Sequence, residues 1–405
     1  MTRSTLSVLS GQPRPRPPAS ARAVFRVLDR LATGTLELHL PDGATARFGN
    51  GSGPRASITV HAWRACGRTL KSGDIGFAES YLDGEWSTAD LSGLMQLLVA
   101  NRNAVETAIY GSRWGRAAYR LRHLLNRNSK SRARKNVQAH YDLGNAFYRL
   151  WLDDTMSYSG AWFEAGADQP LQQAQWAKMR RALRECRLTP GQRLLDIGCG
   201  WGALAELAGR EFGAQVVGVT LSAEQLRYAR ERLGADAPAQ LRLQDWREID
   251  DGPFDAICSV EMFEAVGLEY WGEFFATLRR LLKPGGRACL QTITIRDDLF
   301  DRYRRSTDFI QQYIFPGGLL PCPQAFRREA RKAGFVVVNE LDFGLDYART
   351  LQCWRDRFHA AEPEVRRLGF DTRFMRIWNF YLAYCEAAFV HRNTSVMQFT
   401  LQRAS

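Results

Sequence analysis

The segment that most constrains the fold is an apolar run that ends at an acidic residue and continues into closely spaced glycines. It reads LLDIGCGWG, with Asp196, Gly198, Gly200 and Gly202 as its distinctive positions. Glycine adopts backbone conformations that other residues avoid, so a turn of this composition lets the main chain approach a ligand closely. The segment therefore predicts a strand, a tight turn and then a helix that begins near Ala203.

The second half of the chain alternates between extended and helical patterns. Strands are predicted at 193–197, 215–220, 239–243, 256–260 and 287–295, and helices at 171–186 and 223–233. Ser222 and Gln225 have the spacing of a capping box at the start of the second helix. Such alternation predicts a doubly wound α/β fold, in which helices cover both faces of a parallel sheet. A turn at 283–286 is expected before the fifth strand, an inserted helical lid at 300–330, and aromatic-rich helix over the last roughly 60 residues.

Ligands of doubly wound sheets bind at the carboxyl ends of the strands. The acidic residue and the glycine spacing of 196–202 resemble the S-adenosylmethionine (SAM) site of class I methyltransferases, where this turn would hold the methionine portion. Thr220, Leu221 and Gln225 are then expected near the ribose, although the acidic residue that most of these enzymes carry there is missing. Asp245 is expected to accept from the adenine amine and Trp246 to stack on the ring, with core packing as the alternative for the indole.

The positive charge of the chain is concentrated in its first third. Residues 1–135 hold 21 Lys and Arg against 9 Asp and Glu, whereas the remainder holds 34 of each, so the whole net charge of +12 lies in the first third. An excess of this size favours an anionic partner, either a membrane surface or nucleic acid. A basic amphipathic helix at 118–125, with a basic companion face of Arg113, Arg116, Arg120 and Arg122, is suited to anionic lipid headgroups. A helix that packs between domains is the alternative.

Composition shifts divide the chain into four parts. We expect a disordered Pro- and Arg-rich segment at 1–22, a smaller basic α+β domain at 23–125, a linker at 126–136 and the SAM-dependent domain at 137–405. Within the basic domain, 35–40 is predicted as a strand, and 91–98 as a helix capped by Ser87 or Thr88. The eight cysteines form no CxxC pair, so we expect no metal site, no disulfides and a cytoplasmic location. The sequence contains no run of about 18 apolar residues, so no membrane span is predicted.

Six segments resemble, in order, the cyclopropane-fatty-acyl-phospholipid synthase family. They are 140–163, 194–205, 218–225, 259–267, 311–318 and 342–354, and AESYLDGEW at 78–86 is similar to the additional N-terminal domain of the bacterial phospholipid enzymes. The resemblance implies methyl transfer from SAM to a double bond of an unsaturated acyl chain in a membrane phospholipid. It also implies a peripheral position on the inner face of the membrane, and family members are often homodimers.

The chemistry of this transfer explains which residues matter. An alkene is a weak nucleophile, so the methyl group must be held in line with it in a water-poor pocket. Attack leaves a carbocation, and a base must then remove a proton. Loss from the added methyl closes a cyclopropane, whereas loss from a neighbouring carbon leaves a methyl-branched, relocated alkene. The product that competes with the cyclopropane is a methylene- or methyl-branched chain. Aromatic faces stabilise a cation, and Phe263, Tyr313 and Tyr347 are the candidates.

The resemblance implies that the base is a bicarbonate ion held by a Cys, a Glu, a His, a Tyr and a backbone amide. Glu264, Tyr347 and the main chain of Ile293 keep this pattern. Gly160 stands in place of the Cys and Gln291 in place of the His, and an amide is no base near neutral pH. Bicarbonate binding and the cyclopropane product therefore stay open. Glu264 is the strongest candidate, either as base or as an orienting group, and Tyr347 is the other candidate for a direct base.

The remaining matches concern the cofactor. Tyr158 and Ser159 match family positions beside the SAM carboxylate, and His140 lies in a segment expected to order a lid over SAM. A nucleic-acid or small-molecule methyltransferase is the alternative, because the basic first third would also suit nucleic acid. The sequence contains no Asn/Asp-Pro-Pro-aromatic motif, and the Pro-Cys pair at 321–322 is isolated. We therefore expect lipid rather than nucleic acid as the partner.

Overall fold

The computed structural model describes residues 16–109, 143–166 and 168–404. Its strands are β1 (Thr35–His39), β2 (Thr45–Gly49), β3 (Arg55–Val60), β4 (Trp86–Ser87), β5 (Arg193–Ile197), β6 (Gln215–Thr220), β7 (Ala239–Leu243), β8 (Phe254–Val260), β9 (Leu282–Ile295), β10 (Phe335–Asp342) and β11 (Thr394–Arg403).

The α-helices of the described residues are α1 (Ala19–Leu28), α2 (Arg64–Leu82), α3 (Leu91–Ala100), α4 (Arg102–Ile109), α5 (Asn145–Arg149), α6 (Leu171–Glu185), α7 (Ala203–Phe212), α8 (Ala223–Leu233), α9 (Trp271–Leu281), α10 (Asp297–Tyr303), α11 (Phe309–Tyr313), α12 (Pro323–Lys332), α13 (Gly344–Ala360), α14 (Glu362–Arg367) and α15 (Thr372–Val390). None of them is long and apolar enough to cross a membrane.

Contacts divide the chain into two units. The first comprises residues 1–125, 305–314 and 369–391, and the second comprises 126–304, 315–368 and 392–405. The second unit is therefore not the continuous stretch 137–405 that the sequence suggested, because two later segments belong with the first unit. The predicted linker at 126–136 and the predicted basic helix at 118–125 lie outside the described residues.

The first unit contains a small sheet in the order β2-β1-β3-β4, in which β1 is antiparallel to β2 and parallel to β3. Two details differ from the sequence predictions. Helix α1 begins at Ala19, inside the segment 1–22 that was expected to be disordered. Helix α3 is capped by Asp90, whose carboxylate accepts from the Gly93 amide at 2.9 Å, and not by Ser87 or Thr88. An Asp at this position satisfies a donor that the helix itself leaves free.

The second unit is built on a seven-stranded sheet in the order β10-β11-β9-β8-β5-β6-β7. Strands β5 to β9 are parallel, and β11 is antiparallel to both of its neighbours. The chain runs outward from β5 to β7 on one side and from β8 to β9 on the other. The carboxyl ends of β5 and β8 therefore flank the switch point where such sheets bind ligands. The predicted doubly wound α/β fold is confirmed.

Several elements begin and end where the sequence predicts, and others do not. Strands β5, β6 and β7 match their predicted bounds. Strand β10 was not predicted, and β11 was missed because the last roughly 60 residues were expected to be helical. The predicted turn at 283–286 lies within β9 as an irregularity, since Leu282 pairs with Phe254 and the next paired residue is Arg287. Residues 283–286 therefore do not pair with β8, but β9 continues on both sides of them.

The predicted lid at 300–330 is not a single insertion. Helix α11 belongs to the first unit, while α12 belongs to the second and packs against α9 and β10. Phe326 of α12 is fully buried, and its ring stacks on Phe399 of β11 with the centroids 4.2 Å apart. Burial of a phenyl side chain stabilises the fold by about 2 kcal/mol, so α12 is part of the core of the sheet.

Candidate active site

The Gly-rich turn after β5 has the predicted form. Gly198, Gly200 and Gly202 all have positive φ, at 86°, 53° and 87°, and α7 begins immediately afterwards at Ala203. The Gly198 amide donates to the Val219 carbonyl at 2.9 Å, which fixes the turn to the end of β6. A Cβ on Gly198 would lie 2.9 Å from Met262, so this residue is required for space as well as for conformation.

Asp196 stands at the end of β5, directly before this turn. Its side chain is buried, and its Oδ2 has no hydrogen-bond partner among the described residues. Burial raises the pKa of this carboxyl to about 7. A buried carboxylate oxygen without a donor is costly, so a cationic ligand group would be stabilised here. The ammonium and sulfonium of SAM have the required charge, and the residues present therefore fit this cofactor.

The residues expected at the ribose lie at the end of β6. The Thr220 hydroxyl donates to Gln225 Oε1 at 2.9 Å, and the Ser222 hydroxyl accepts from the Gln225 amide at 3.2 Å. Ser222 therefore caps α8 as predicted. The reciprocal bond of a capping box is replaced by the bond to Thr220, which leaves the Gln225 side chain turned towards the strand end. Leu221 follows Thr220 and is partly exposed.

The residues expected at the adenine are engaged with neighbours in the chain. Asp245 accepts two bonds from the Arg247 guanidinium, at 2.8 and 2.7 Å. Trp246 is buried with its ring centroid 5.2 Å from that of Phe274 in an edge-on arrangement. The packing alternative for Trp246 thus has direct structural support, and the Asp245 charge is offset by Arg247.

Glu261 lies one residue beyond β8 and gathers three donors. Its Oε1 accepts from the Gly160 amide at 2.9 Å and from Gln291 Nε2 at 2.8 Å, and its Oε2 accepts from the Tyr347 hydroxyl at 2.7 Å. Gln398 donates to Gln291 Oε1 at 3.1 Å, which keeps Gln291 Nε2 turned towards Glu261. The family resemblance singled out Gly160, Gln291 and Tyr347. All three donate to the Glu261 carboxylate, which the sequence analysis did not consider.

A buried ammonium faces this carboxylate. Lys178 of α6 is 1% exposed and donates to the Ser159 hydroxyl. Burial lowers its pKa to about 8, and the charges of Glu261 and Asp153 act in the opposite direction. Burial also raises the pKa of Glu261, while Lys178 and the three donors favour its ionised form. The charge on Lys178 and the three donors thus oppose the effect of burial on Glu261.

Glu264 has a different environment from Glu261. It lies in a short 3₁₀ helix (Phe263–Ala265), and its Oε1 accepts directly from the Ile293 amide, the group that the resemblance pairs with it around a bicarbonate ion. Its Oε2 is buried without a hydrogen-bond partner in the described part of the chain. Burial and the nearby charge of Glu261 both raise the pKa of this carboxyl. Glu264 is therefore the member of the pair that favours the protonated form.

The three aromatic residues expected to stabilise a carbocation lie in different parts of the structure. Tyr347 lies beside Glu261, and its ring centroid is 6.1 Å from that of Trp354, which in turn is 5.5 Å from Tyr158. Phe263 is 1% exposed and packs in the core against Trp271 and other rings. Tyr313 belongs to the first unit, where it donates to Glu79 at 2.6 Å. His140 lies outside the described residues.

Two residues of this site were missed by the sequence analysis. Glu261 had a signal, because it is an acidic residue directly after a buried strand on the ligand-binding edge of the sheet. Lys178 had a weaker signal, because it is a charged residue on the helix face that also carries Met179 and Ala182, both buried. Sequence patterns alone do not show which carboxyl of residues 259–267 receives the donors.

The strand order, the Gly-rich turn after β5 and the buried acid before it define a class I SAM-dependent methyltransferase. The chain belongs to the mycolic acid cyclopropane synthetase family, whose model matches residues 128–399.

The relatives of this chain support the same class along most of its length. It is 38% identical over 401 residues to a tuberculostearic acid methyltransferase of Mycobacterium tuberculosis, covering 95% of this chain and 92% of the relative. It is 38% identical over 356 residues to the cyclopropane-fatty-acyl-phospholipid synthase of Escherichia coli, with coverages of 87% and 89%. A solved mycolic acid cyclopropane synthase in complex with SAH and CTAB has 35% identity and a TM-score of 0.63, covering 67% of this chain and 98% of that one.

Proposed function

We propose that this methyltransferase adds a carbon to the double bond of an unsaturated acyl chain carried by a membrane phospholipid. The observation that carries the proposal is the polar cluster around Glu261, which lies at the end of β8 beside the strand that leads into the Gly-rich turn. A carboxylate held by three donors can accept a proton, which is the step that an alkyl cation requires. The names of the relatives are consistent with this chemistry.

The residues of the chain have distinct parts in this reaction. SAM, when bound, supplies the methyl group. The turn at 198–202 and the Asp196 carboxylate would hold its charged end. Tyr347, Trp354 and Tyr158 form an aromatic group beside Glu261 whose ring faces can stabilise a positive charge. Their bulk keeps water away from a cation that water would otherwise capture.

We propose further that the basic first third holds the enzyme on an anionic membrane, on the inner face and without a span. The support is the charge distribution, since the entire net charge of +12 lies in residues 1–135. Lysine and arginine near an anionic surface each contribute about 1 kcal/mol to binding. A homodimer, which the family resemblance implies, is part of the proposal and can be tested by light scattering.

The direct test is to incubate the purified protein with methyl-labelled SAM and vesicles of anionic phospholipid with monounsaturated chains. We expect labelled acyl chains that are heavier by one CH₂ unit, and none from vesicles with saturated chains. Ozonolysis then separates the products, because a cyclopropane resists cleavage and a methylene-branched alkene does not. Label in added duplex DNA, with none in lipid, would favour a nucleic-acid substrate instead.

A further inference from the structure

A bicarbonate ion, which the family resemblance implies, does not fit the site that this chain builds. Of the groups assigned to the ion, Glu264 and the Ile293 amide bond to each other. The other three donate to Glu261; they are the Gly160 amide, the Gln291 side chain and the Tyr347 hydroxyl. The assigned groups therefore already hold a carboxylate, and this carboxylate is covalently part of the chain.

The departures from the family pattern are consistent with one another. A Cβ on Gly160 would lie 2.6 Å from the Tyr347 ring, so a cysteine at this position would displace the ring that donates to Glu261. Gln291 presents an amide donor to the carboxylate and accepts from Gln398, so both of its polar atoms are used. Each replacement thus supports a carboxylate side chain at this point.

The backbone at Glu261 is itself unusual. Its φ is 51°, in the left-handed region that favours glycine, and its amide donates to the Gln291 carbonyl at 2.8 Å. A residue with a long side chain in this conformation costs about 1 kcal/mol or more, and such strain is found mainly at functional positions. The conformation directs the Glu261 carboxylate to the three donors, and the residue stays partly exposed.

We propose that Glu261 is the base of the reaction and takes the place of bicarbonate in this enzyme. The inference rests on the proposed function. The C–S bond of the methyl donor breaks and a bond forms between the methyl carbon and one alkene carbon, which leaves a cation on the other. Glu261 Oε then takes a proton either from the added methyl, whose C–H electron pair closes a ring onto the cationic carbon, or from a carbon next to the cation, whose C–H electron pair forms a new alkene. The carboxylate becomes a neutral acid, and release of its proton to solvent restores it.

The primary test needs only the unaltered protein. Product formation from SAM and unsaturated phospholipid vesicles is measured in buffer freed of carbon dioxide, with and without added bicarbonate. We expect rates that agree within twofold. Stimulation by bicarbonate of tenfold or more would overturn the inference and leave the proposed function intact. Absence of any one-carbon product in both buffers would overturn the proposed function and the inference with it.

Two variants test the assignment to this side chain. Glu261→Gln keeps the shape and removes the base, so we expect kcat to fall about 100-fold or more while the affinity for S-adenosylhomocysteine, measured by calorimetry, stays within threefold. Glu269→Gln is the matched control, since Glu269 is an exposed acid in the following 3₁₀ helix and its loss should leave the rate unchanged. Equal kcat for Glu261→Gln and the unaltered enzyme would overturn the assignment.

Glu261→Gly offers a second readout, because glycine suits the backbone conformation and leaves the three donors without a carboxylate. We expect bicarbonate or formate to restore its activity at least tenfold with saturation, and labelled bicarbonate to bind to this variant in carbon NMR. The unaltered enzyme should show neither effect. A folded variant that binds S-adenosylhomocysteine but responds to neither anion would contradict the inference.

Discussion

Lys178 is buried and Glu261 is half-buried, and the charge of each influences the protonation of the other. The Lys178 ammonium favours the ionised form of Glu261, which burial opposes. Tyr347 and Glu264 are the other titratable groups that face this carboxylate, and Glu264 acts against its ionisation. The proton-accepting form of Glu261 is therefore lost as the pH falls through a raised pKa, so activity should decline on the acid side earlier than for an ordinary carboxylate.

We predict that Lys178→Gln moves the acid limb of the kcat/KM profile towards neutral pH, because it removes the charge that favours ionised Glu261. The loss of activity should be several-fold at pH 6 and should shrink above pH 7.5. Lys283→Gln, at a half-exposed lysine paired with Asp255, is the control. An unchanged acid limb in the Lys178 variant would exclude this coupling.

Asp196 gives a prediction that does not depend on turnover. Its pKa of about 7 leaves about half of the carboxyl protonated at neutral pH, and a cationic ligand should lower this pKa. SAM binding should therefore release up to about half a proton at pH 7 and almost none at pH 8.5. Calorimetry in buffers of different ionisation enthalpy measures the release. Asp196→Asn should abolish it, and proton uptake by the unaltered protein would contradict the prediction.

At the level of secondary structure elements, the segment around residue 160 and helix α13 approach each other closely. Gly160→Ala should destabilise the protein by about 1–3 kcal/mol and weaken the Tyr347 bond to Glu261, because the new methyl would overlap the tyrosine ring. Gly272→Ala is the matched control, since a Cβ there meets nothing within 4 Å and the position is helical. Its stability should stay unchanged or rise by up to about 1 kcal/mol. Urea midpoints and kcat distinguish the two variants.

The elements that the sequence predicts well are bounded by strong local signals. Strands β5 and β6 are apolar runs that end at glycines or capping residues, so their bounds can be read directly. Strand β10 was missed because Val336 and Val338 are exposed and its apolar pattern does not mark a buried face. Strand β11 follows the long helix α15, and its position between β9 and β10 depends on pairing across more than 50 residues of sequence, which no local pattern encodes.

The site was predictable only in part, for the same reason. The Gly-rich turn and Asp196 follow from the sequence, and the presence of Glu264 and Ile293 in one place follows from the resemblance, whereas the direct bond between them does not. The role of Glu261 depends on Gly160 and Tyr347, which lie 101 and 86 residues away in the chain. Because the donors come from separate elements, the carboxylate that they share becomes visible only when the fold brings them together.

At the scale of the whole molecule, the net positive charge and the residues of the candidate active site lie in different parts of the chain. Residues 136–405 hold equal numbers of basic and acidic residues, while the net charge of +12 lies before them. The second unit contains the SAM-site and acid–base residues described above. If the basic part serves to hold the enzyme on lipid, its loss should affect the use of vesicles and spare the chemical step.

We predict that replacing Arg113, Arg116, Arg120 and Arg122 together by Gln weakens binding to anionic vesicles by more than tenfold at low salt, because four charges near such a surface contribute about 1 kcal/mol each. The matched control removes four exposed arginines of the second unit, namely Arg184, Arg328, Arg331 and Arg366. Both variants carry the same net charge, so a general charge effect would weaken them equally. Sedimentation with vesicles measures binding, and turnover on detergent-dispersed phospholipid should be the same for both variants and the unaltered enzyme. Loss of turnover in detergent for the first variant would mean that these arginines act on catalysis or folding rather than on membrane docking.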